Sequence, residues 1–147
     1  VYATRGGNFA RTMVRLAAER DVLRVIDDQV GAPTGADLIA DVTAHAVQRL
    51  RQPAADSLSG IYHLAASGAS SWYDYARFVL TEAARYRQLK AGPEAVEPIA
   101  SAAYPTAARR PLNSRLNTHK LQHAFQLVLP PWQQGVQRML REILECG

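Results

Sequence analysis

Tyr86-Arg87-Gln88-Leu89-Lys90 sets a tyrosine and a lysine four residues apart. On a helix that spacing puts both side chains on one face, where Lys⁺ stabilises a tyrosinate that gives or takes a proton. The segment runs straight into Ala91-Gly92-Pro93, where a helix frays, and no dinucleotide fingerprint precedes it. The pair therefore reads as a coincidence of spacing and not as a catalytic pair. His119 and His123 repeat the spacing and would offer two imidazoles to a metal. No Glu follows His119 and no third ligand is near, so a solvated helix face is the simpler reading. The chain has no Gly-x-Gly-x-x-Gly, no Walker motif, and no serine-nucleophile or Cys/His arrangement.

Two loops carry more chemistry. Asp28-Gln29-Val30-Gly31-Ala32-Pro33-Thr34-Gly35 lies between an expected strand and the start of an expected helix. Free N–H groups and the helix dipole favour an anionic ligand there. Ala108-Arg109-Arg110-Pro111-Leu112-Asn113-Ser114-Arg115 offers three guanidinium groups beside Asn and Ser, a set suited to a diphosphate. Each loop also has a plain alternative: a capped turn for the first, a solvated surface loop for the second.

The elements that must position these loops follow from periodicity. Asn8 reads as the N-cap of a helix with Phe9, Met13, Leu16 and Ala17 on one face. Val22–Ile26 has the β-branched content of a buried strand. Thr34 with Asp37 resembles a capping box opening a helix that carries Leu38, Ile39, Val42, Ala46, Val47 and Leu50 on its apolar face and stops before Pro53. Gln52–Ser59 reads as a polar turn and Gly60–Ala65 as a short strand. Ser71 with Asp74 opens a helix that turns Trp72, Tyr75, Ala76, Phe78, Val79 and Ala83 inward. From Ala91 to Pro111 prolines predict an irregular connector with an edge strand over Val96–Ala100. Asn117 is expected to cap a helix through Phe125, and Pro131 to begin a last helix burying Val136, Met139, Leu140, Ile143 and Leu144. The fold class is α/β, a small mixed sheet with flanking helices. Two or three short strands are little sheet for so many helical faces.

The chain has 147 residues, room for one domain with one modest core. With 48% hydrophobic and 20% charged residues it has a globular composition, not a disordered one. No apolar run reaches a membrane span, so no membrane partner is expected. Net charge is +4, and all basic residues but Lys90 and Lys120 are Arg. They are spread along the chain with acids among them, without the aromatic-lined stripe that nucleic-acid binding needs. The lone cysteine, Cys146, excludes a disulfide framework and points to a cytoplasmic setting. The chain opens Val1-Tyr2-Ala3-Thr4, without Met, as a piece of something longer would.

Taken in order, several segments resemble the dTDP-4-dehydrorhamnose reductases, extended short-chain dehydrogenase/reductases. They are Val1-Tyr2 with Gly7-Asn8-Phe9, and Val25-Ile26-Asp27-Asp28-Gln29 running into Gly31-Ala32-Pro33-Thr34-Gly35. Tyr62-His63-Leu64 with Ala66-Ser67-Gly68 follows, then Ala103-Tyr104-Pro105-Thr106, Arg110-Pro111, Asn113-Ser114-Arg115-Leu116 and Leu129-Pro130 with Trp132. The resemblance implies that residues 1–147 form a single C-terminal substrate-binding domain of that fold, lacking the N-terminal Rossmann half, with residues 1–50 packing partly against it. The Gly-rich loop for NADPH or NADH and the catalytic Thr/Ser, Tyr and Lys would lie in that half, so the chain alone is expected to be inactive. In the whole enzyme, hydride from NADPH reduces the C4 ketone of dTDP-4-dehydro-L-rhamnose while Tyr delivers a proton. The resemblance implies a dTDP-sugar pocket lined by Asn8, Gln29, Gly31, Pro33, Thr34, Arg110, Asn113 and Arg115, with Arg110 or Arg115 on the diphosphate. It also implies Mg²⁺ between the subunits of a homodimer, near Asp37 and Glu142, with Asp37 in place of a longer Glu. Two other readings share these residues. One is a non-catalytic module like the regulatory subunit of methionine adenosyltransferase; the other is a reductase or epimerase of another nucleotide sugar.

Overall fold

The computed structural model describes residues 1–52, 58–104 and 110–145. The expectations for Pro53–Ser57 of the polar turn, for Pro105–Arg109 of the connector and for Cys146 lie outside them.

Helix α1 spans Phe9–Glu19 and begins where expected, because the Asn8 side-chain Oδ1 accepts the Arg11 N–H at 2.9 Å. The same side chain donates to the Ala3 carbonyl at 2.8 Å, which ties the incoming chain to the helix start. Ala10, Met13, Val14 and Ala17 form the buried face. Strand β1, Leu23–Ile26, follows at once, and β2 is the two-residue Val30–Gly31. Helix α2 runs Ala36–Leu50, β3 is Ser70–Ser71, and α3 is Trp72–Ala83. Strand β4, Val96–Ile99, precedes α4, His119–Phe125, and α5, Trp132–Glu145.

In place of the one small mixed sheet expected, the described residues form two separate two-stranded sheets, one parallel and one antiparallel. β1 and β4 pair in parallel with Leu23 opposite Val96 and Ile26 opposite Ile99. β2 and β3 pair antiparallel with Val30 opposite Ser71 and Gly31 opposite Ser70. Parallel neighbours need a long crossover, and α2 and α3 lie within this one. The main core forms where α1, α3 and α5 meet β1 and β4: Val79, Leu80, Val136 and Leu140 are fully buried. A second cluster joins α2 to α4 through Val42, Leu121, Phe125 and Leu129, and Leu38 touches both clusters.

Four further expectations are corrected. Residues 60–65 form no strand, because the polar groups of this stretch and of the two residues after it find other partners. The Ala66 N–H donates to Thr34 Oγ1 at 3.1 Å, the Ser67 N–H to the Pro130 carbonyl at 2.8 Å, and Lys120 Nζ to the Ile61 carbonyl at 2.9 Å. Thr34 does not cap α2; Gly35 holds the cap position without a side-chain bond, since the Thr34 hydroxyl serves Ala66 and donates to the Ala32 carbonyl. Asn117 reaches the His119 N–H at 3.0 Å, but the cap position falls on Thr118 and leaves α4 only seven residues long. Trp72 is 39% exposed where an inward ring was expected. Ser71 does cap α3, its Oγ accepting the Asp74 N–H at 3.0 Å.

The Asn8 side chain makes two backbone bonds at one helix start. Replacing it with Ala is expected to cost about 1–2 kcal/mol of unfolding free energy in urea titration. Asn8→Asp, which keeps the cap acceptor and loses the donor to Ala3, should recover part of that loss. Equal stability of Asn8→Ala and the native chain would contradict this role.

Candidate functional site

β2 is used from both edges. On one side it pairs with β3. On the other, the Val30 N–H donates to the Leu112 carbonyl at 2.8 Å, and the Val30 carbonyl accepts the Ser114 N–H at 2.9 Å and its hydroxyl at 3.1 Å. Three segments distant in sequence are thereby laid side by side, and the cleft they border holds about 260 Å³. Gln29, Gly31 and Pro33 form one wall, the α3 start with Ser70, Ser71 and Trp72 another, and Arg110, Pro111 and Ser114 a third. Val1, Tyr2, Phe9 and Tyr75 complete it. Ordinary ligand sites run from about 300 Å³ upward, so this volume suits part of an extended ligand rather than all of one.

Gly31 is required by this close approach. A Cβ there would sit 2.6 Å from Ser114 Oγ, inside contact distance. The serines are already engaged: Ser70 Oγ donates to the Ser71 carbonyl at 3.0 Å, and Ser71 Oγ holds the α3 cap. Arg110 and the first residue of α3 line the same cleft, so a guanidinium and a helix N-terminus both border it, a combination that favours an anion.

Of the residues singled out in sequence, Gln29, Gly31, Pro33 and Arg110 line this cleft. Asn8 and Thr34 do not; both serve as hydrogen-bonding struts, as described above. Asn113 bridges to Val30 as a backbone partner, and its side-chain oxygen accepts from the Arg115 N–H and Nε at 3.1 and 3.0 Å. Arg115 is thus turned onto Asn113, outside the cleft, and Arg109 lies outside the described residues. Sequence reading missed Ser70, Ser71, Trp72 and Tyr75 as wall residues. The Ser71–Asp74 cap signal directly before an aromatic pair was the available clue.

Asp37 and Glu142 border one cleft with Tyr2, Asp41 and Arg138. Asp37 is ion-paired with Arg138, and no group of three metal-ligating side chains gathers among the described residues. A carboxylate already neutralised by a guanidinium is a poor cation ligand, so these residues do not fit Mg²⁺. The Tyr86–Lys90 pair is also dispersed: α3 ends at Ala83, and Lys90 Nζ bonds Asp21 at 3.0 Å. His119 and His123 are both exposed. No described helix is long and apolar enough to cross a membrane.

Burial pushes the Tyr2 hydroxyl up to about 12, with Arg138 pulling the other way. Tyr75 is raised as well, by burial first and by Tyr2 second, and its hydroxyl finds no partner among the described residues.

The fold and cleft define an α/β ligand-binding domain that makes its pocket from loops at a helix start. The chain belongs to the RmlD substrate binding domain family, whose model matches residues 1–145. It is 55% identical over 144 residues to the dTDP-4-dehydrorhamnose reductase of Escherichia coli K12, covering 97% of this chain and 47% of that protein. The protein of the same description from Burkholderia thailandensis is 43% identical, with 98% and 49% covered. The chain therefore spans about half the length of the curated relatives it matches. Among solved structures, a Bacillus anthracis dTDP-4-dehydrorhamnose reductase in complex with NADP superposes with a TM-score of 0.80 at 29% identity, over 96% of this chain and 45% of that one.

Two measurements test the geometry. Gly31→Ala should lower stability by about 1–3 kcal/mol through overpacking against Ser114, and Ser114→Ala added to it should restore part of the loss. Additive losses in the double variant would refute the clash. The raised Tyr2 group keeps its proton in the folded chain while the unfolded chain loses it near the ordinary value of 10. Its contribution is whole below pH 10 and drains away as pH rises toward 12, so Tyr2→Phe should flatten the fall of the urea midpoint across that window.

Proposed function

We propose that this chain is the nucleotide-sugar-binding portion of a dTDP-4-dehydrorhamnose reductase. The observation that carries the reading is the cleft itself. Gln29, Gly31, Pro33 and Arg110 line it together with Trp72, the first residue of α3. A guanidinium fork and open helix N–H groups are the donors that a diphosphate takes. Gripping the diphosphate and base of a dTDP-sugar supplies binding energy remote from the reacting carbon and orients the sugar for reduction.

The chain has no Gly-rich loop for a dinucleotide, so its residues do not fit NADPH or NADH. Cofactor and proton donor belong, in this reading, to the half of the longer protein that the chain does not span. Residues 1–50 pack partly against that half. Val1, Val47 and Leu50 are 86%, 53% and 47% exposed, and such packing would cover them. A cytoplasmic setting, where nucleotide sugars and reduced cysteine coexist, completes the reading.

Calorimetry of the 147-residue chain should show tighter binding of dTDP-L-rhamnose than of UDP- or GDP-sugars. Arg110→Ala should weaken it about tenfold or more, the loss expected of a charged hydrogen bond. The chain alone should not oxidise NADPH, and the longer protein that contains it should. Turnover by the chain alone, or equal affinity for all three nucleotides, would overturn the proposal.

A further inference from the structure

Trp72 is the largest side chain bordering the cleft, and the way it is held is unusual for a surface ring. It opens α3, directly after the Ser71 cap, and remains 39% exposed. Behind it the rings are continuous into the core. Phe9 lies 4.7 Å from Trp72 between ring centroids, and Tyr75 lies 5.2 Å from Phe9 and 6.3 Å from Trp72. Tyr75 then meets Trp132 edge-on at 5.6 Å, and Phe78 meets Trp132 at 4.9 Å. Tyr75 and Trp132 are buried. A ring backed this way has its orientation set before any ligand arrives, so little side-chain freedom is lost on binding.

The strand register adds a second observation. Val30 faces Ser71 and Gly31 faces Ser70, so Gln29, one residue before β2, and Trp72, the first residue of α3, lie at the same end of this pairing. Gln29 and Gly31 stand on one side of this pairing, Ser70 and Trp72 on the other. All four border the cleft. Trp72 offers a flat aromatic ring to the cleft and Gln29 a side-chain amide. An amide carries a donor and an acceptor together, as does the edge of a pyrimidine.

We infer that Trp72 is the stacking platform for the nucleobase of the bound nucleotide, with Gln29 beside it at the edge of the base. The inference rests on the nucleotide-sugar reading and goes further by dividing the cleft: the planar base on Trp72, the diphosphate toward Arg110. Trp72 thus determines preference for nucleotides over free sugars or phosphates, and takes no part in the reduction.

Tryptophan fluorescence of the 147-residue chain tests this, with thymidine diphosphate, L-rhamnose and inorganic pyrophosphate as separate probes. Thymidine diphosphate should quench emission, since a stacked base quenches Trp72; pyrophosphate and L-rhamnose should not. Trp72→Phe should remove the quench and keep most of the affinity measured by calorimetry. Trp72→Leu, which retains apolar bulk at a half-exposed site, should weaken thymidine diphosphate about 5- to 150-fold, the range of base–aromatic stacking. Thermal unfolding of both variants near the native midpoint shows that the loss is local. Unchanged affinity in Trp72→Leu, or a quench that persists in Trp72→Phe, overturns the platform while leaving the nucleotide-sugar reading standing. Quenching by L-rhamnose alone would put the sugar on the ring and overturn it too. No binding of thymidine diphosphate by calorimetry overturns both.

Discussion

Val30 and Gly31 make a strand of only two residues, yet its backbone is bonded along both edges, to Ser70–Ser71 on one side and to Leu112–Ser114 on the other. Each such bond contributes only about 1 kcal/mol net, but a buried polar group left without its partner costs about 1–3 kcal/mol. The three segments therefore hold together or come apart together. The cleft walls are set by this pairing and not by the helices alone. It also explains the glycine: a Cβ at position 31 would displace the Ser114 hydroxyl that bonds the Val30 carbonyl.

The core carries this arrangement rather than surrounding it passively. α3 begins at the cleft and buries Ala76, Val79, Leu80 and Ala83 along its length, against α1, α5 and the β1–β4 pair. The aromatic run from Trp72 through Phe9 and Tyr75 to Trp132 connects the open cleft with the start of α5. The start of α5 is fixed in turn by Ser67, whose N–H donates to Pro130 and whose carbonyl accepts from Trp132. Ligand-facing and core-facing surfaces are thus opposite ends of the same packed rings. Close packing transmits displacement, so a change in the core near Trp132 is felt at Trp72.

How much was legible in sequence depended on whether the signal was local. Asn8 before Phe9 and Ser71 three residues before Asp74 are complete cap signals within one turn, and both helices start where those residues say. Thr34 and Asp37 carry the same pattern and fail as a cap, because the Thr34 hydroxyl has a better-placed partner in Ala66, thirty-two residues away. The segment 60–65 has strand composition, yet a strand is a pairing, and its neighbours in this chain offer side chains and loop carbonyls instead of a ladder. Arg115 and Asn113 have the chemistry of a diphosphate site, but they satisfy one another outside the cleft.

By itself the sequence determined the order of the helices and of β1 and β4, the α/β class, the absence of a dinucleotide loop within the residues given, and a family resemblance spread through its whole length. It also singled out four residues that line the cleft: Gln29, Gly31, Pro33 and Arg110. Tertiary structure alone decided which candidates meet. It drew Ser70, Ser71, Trp72 and Ser114 to the cleft, turned Asn8 and Thr34 into struts, and tied Asp37 to Arg138. The reason is physical. Caps, periods and turns are encoded over three or four residues, whereas a cleft is made by hydrogen bonds and ring contacts between segments forty to eighty residues apart, whose partners no local pattern names.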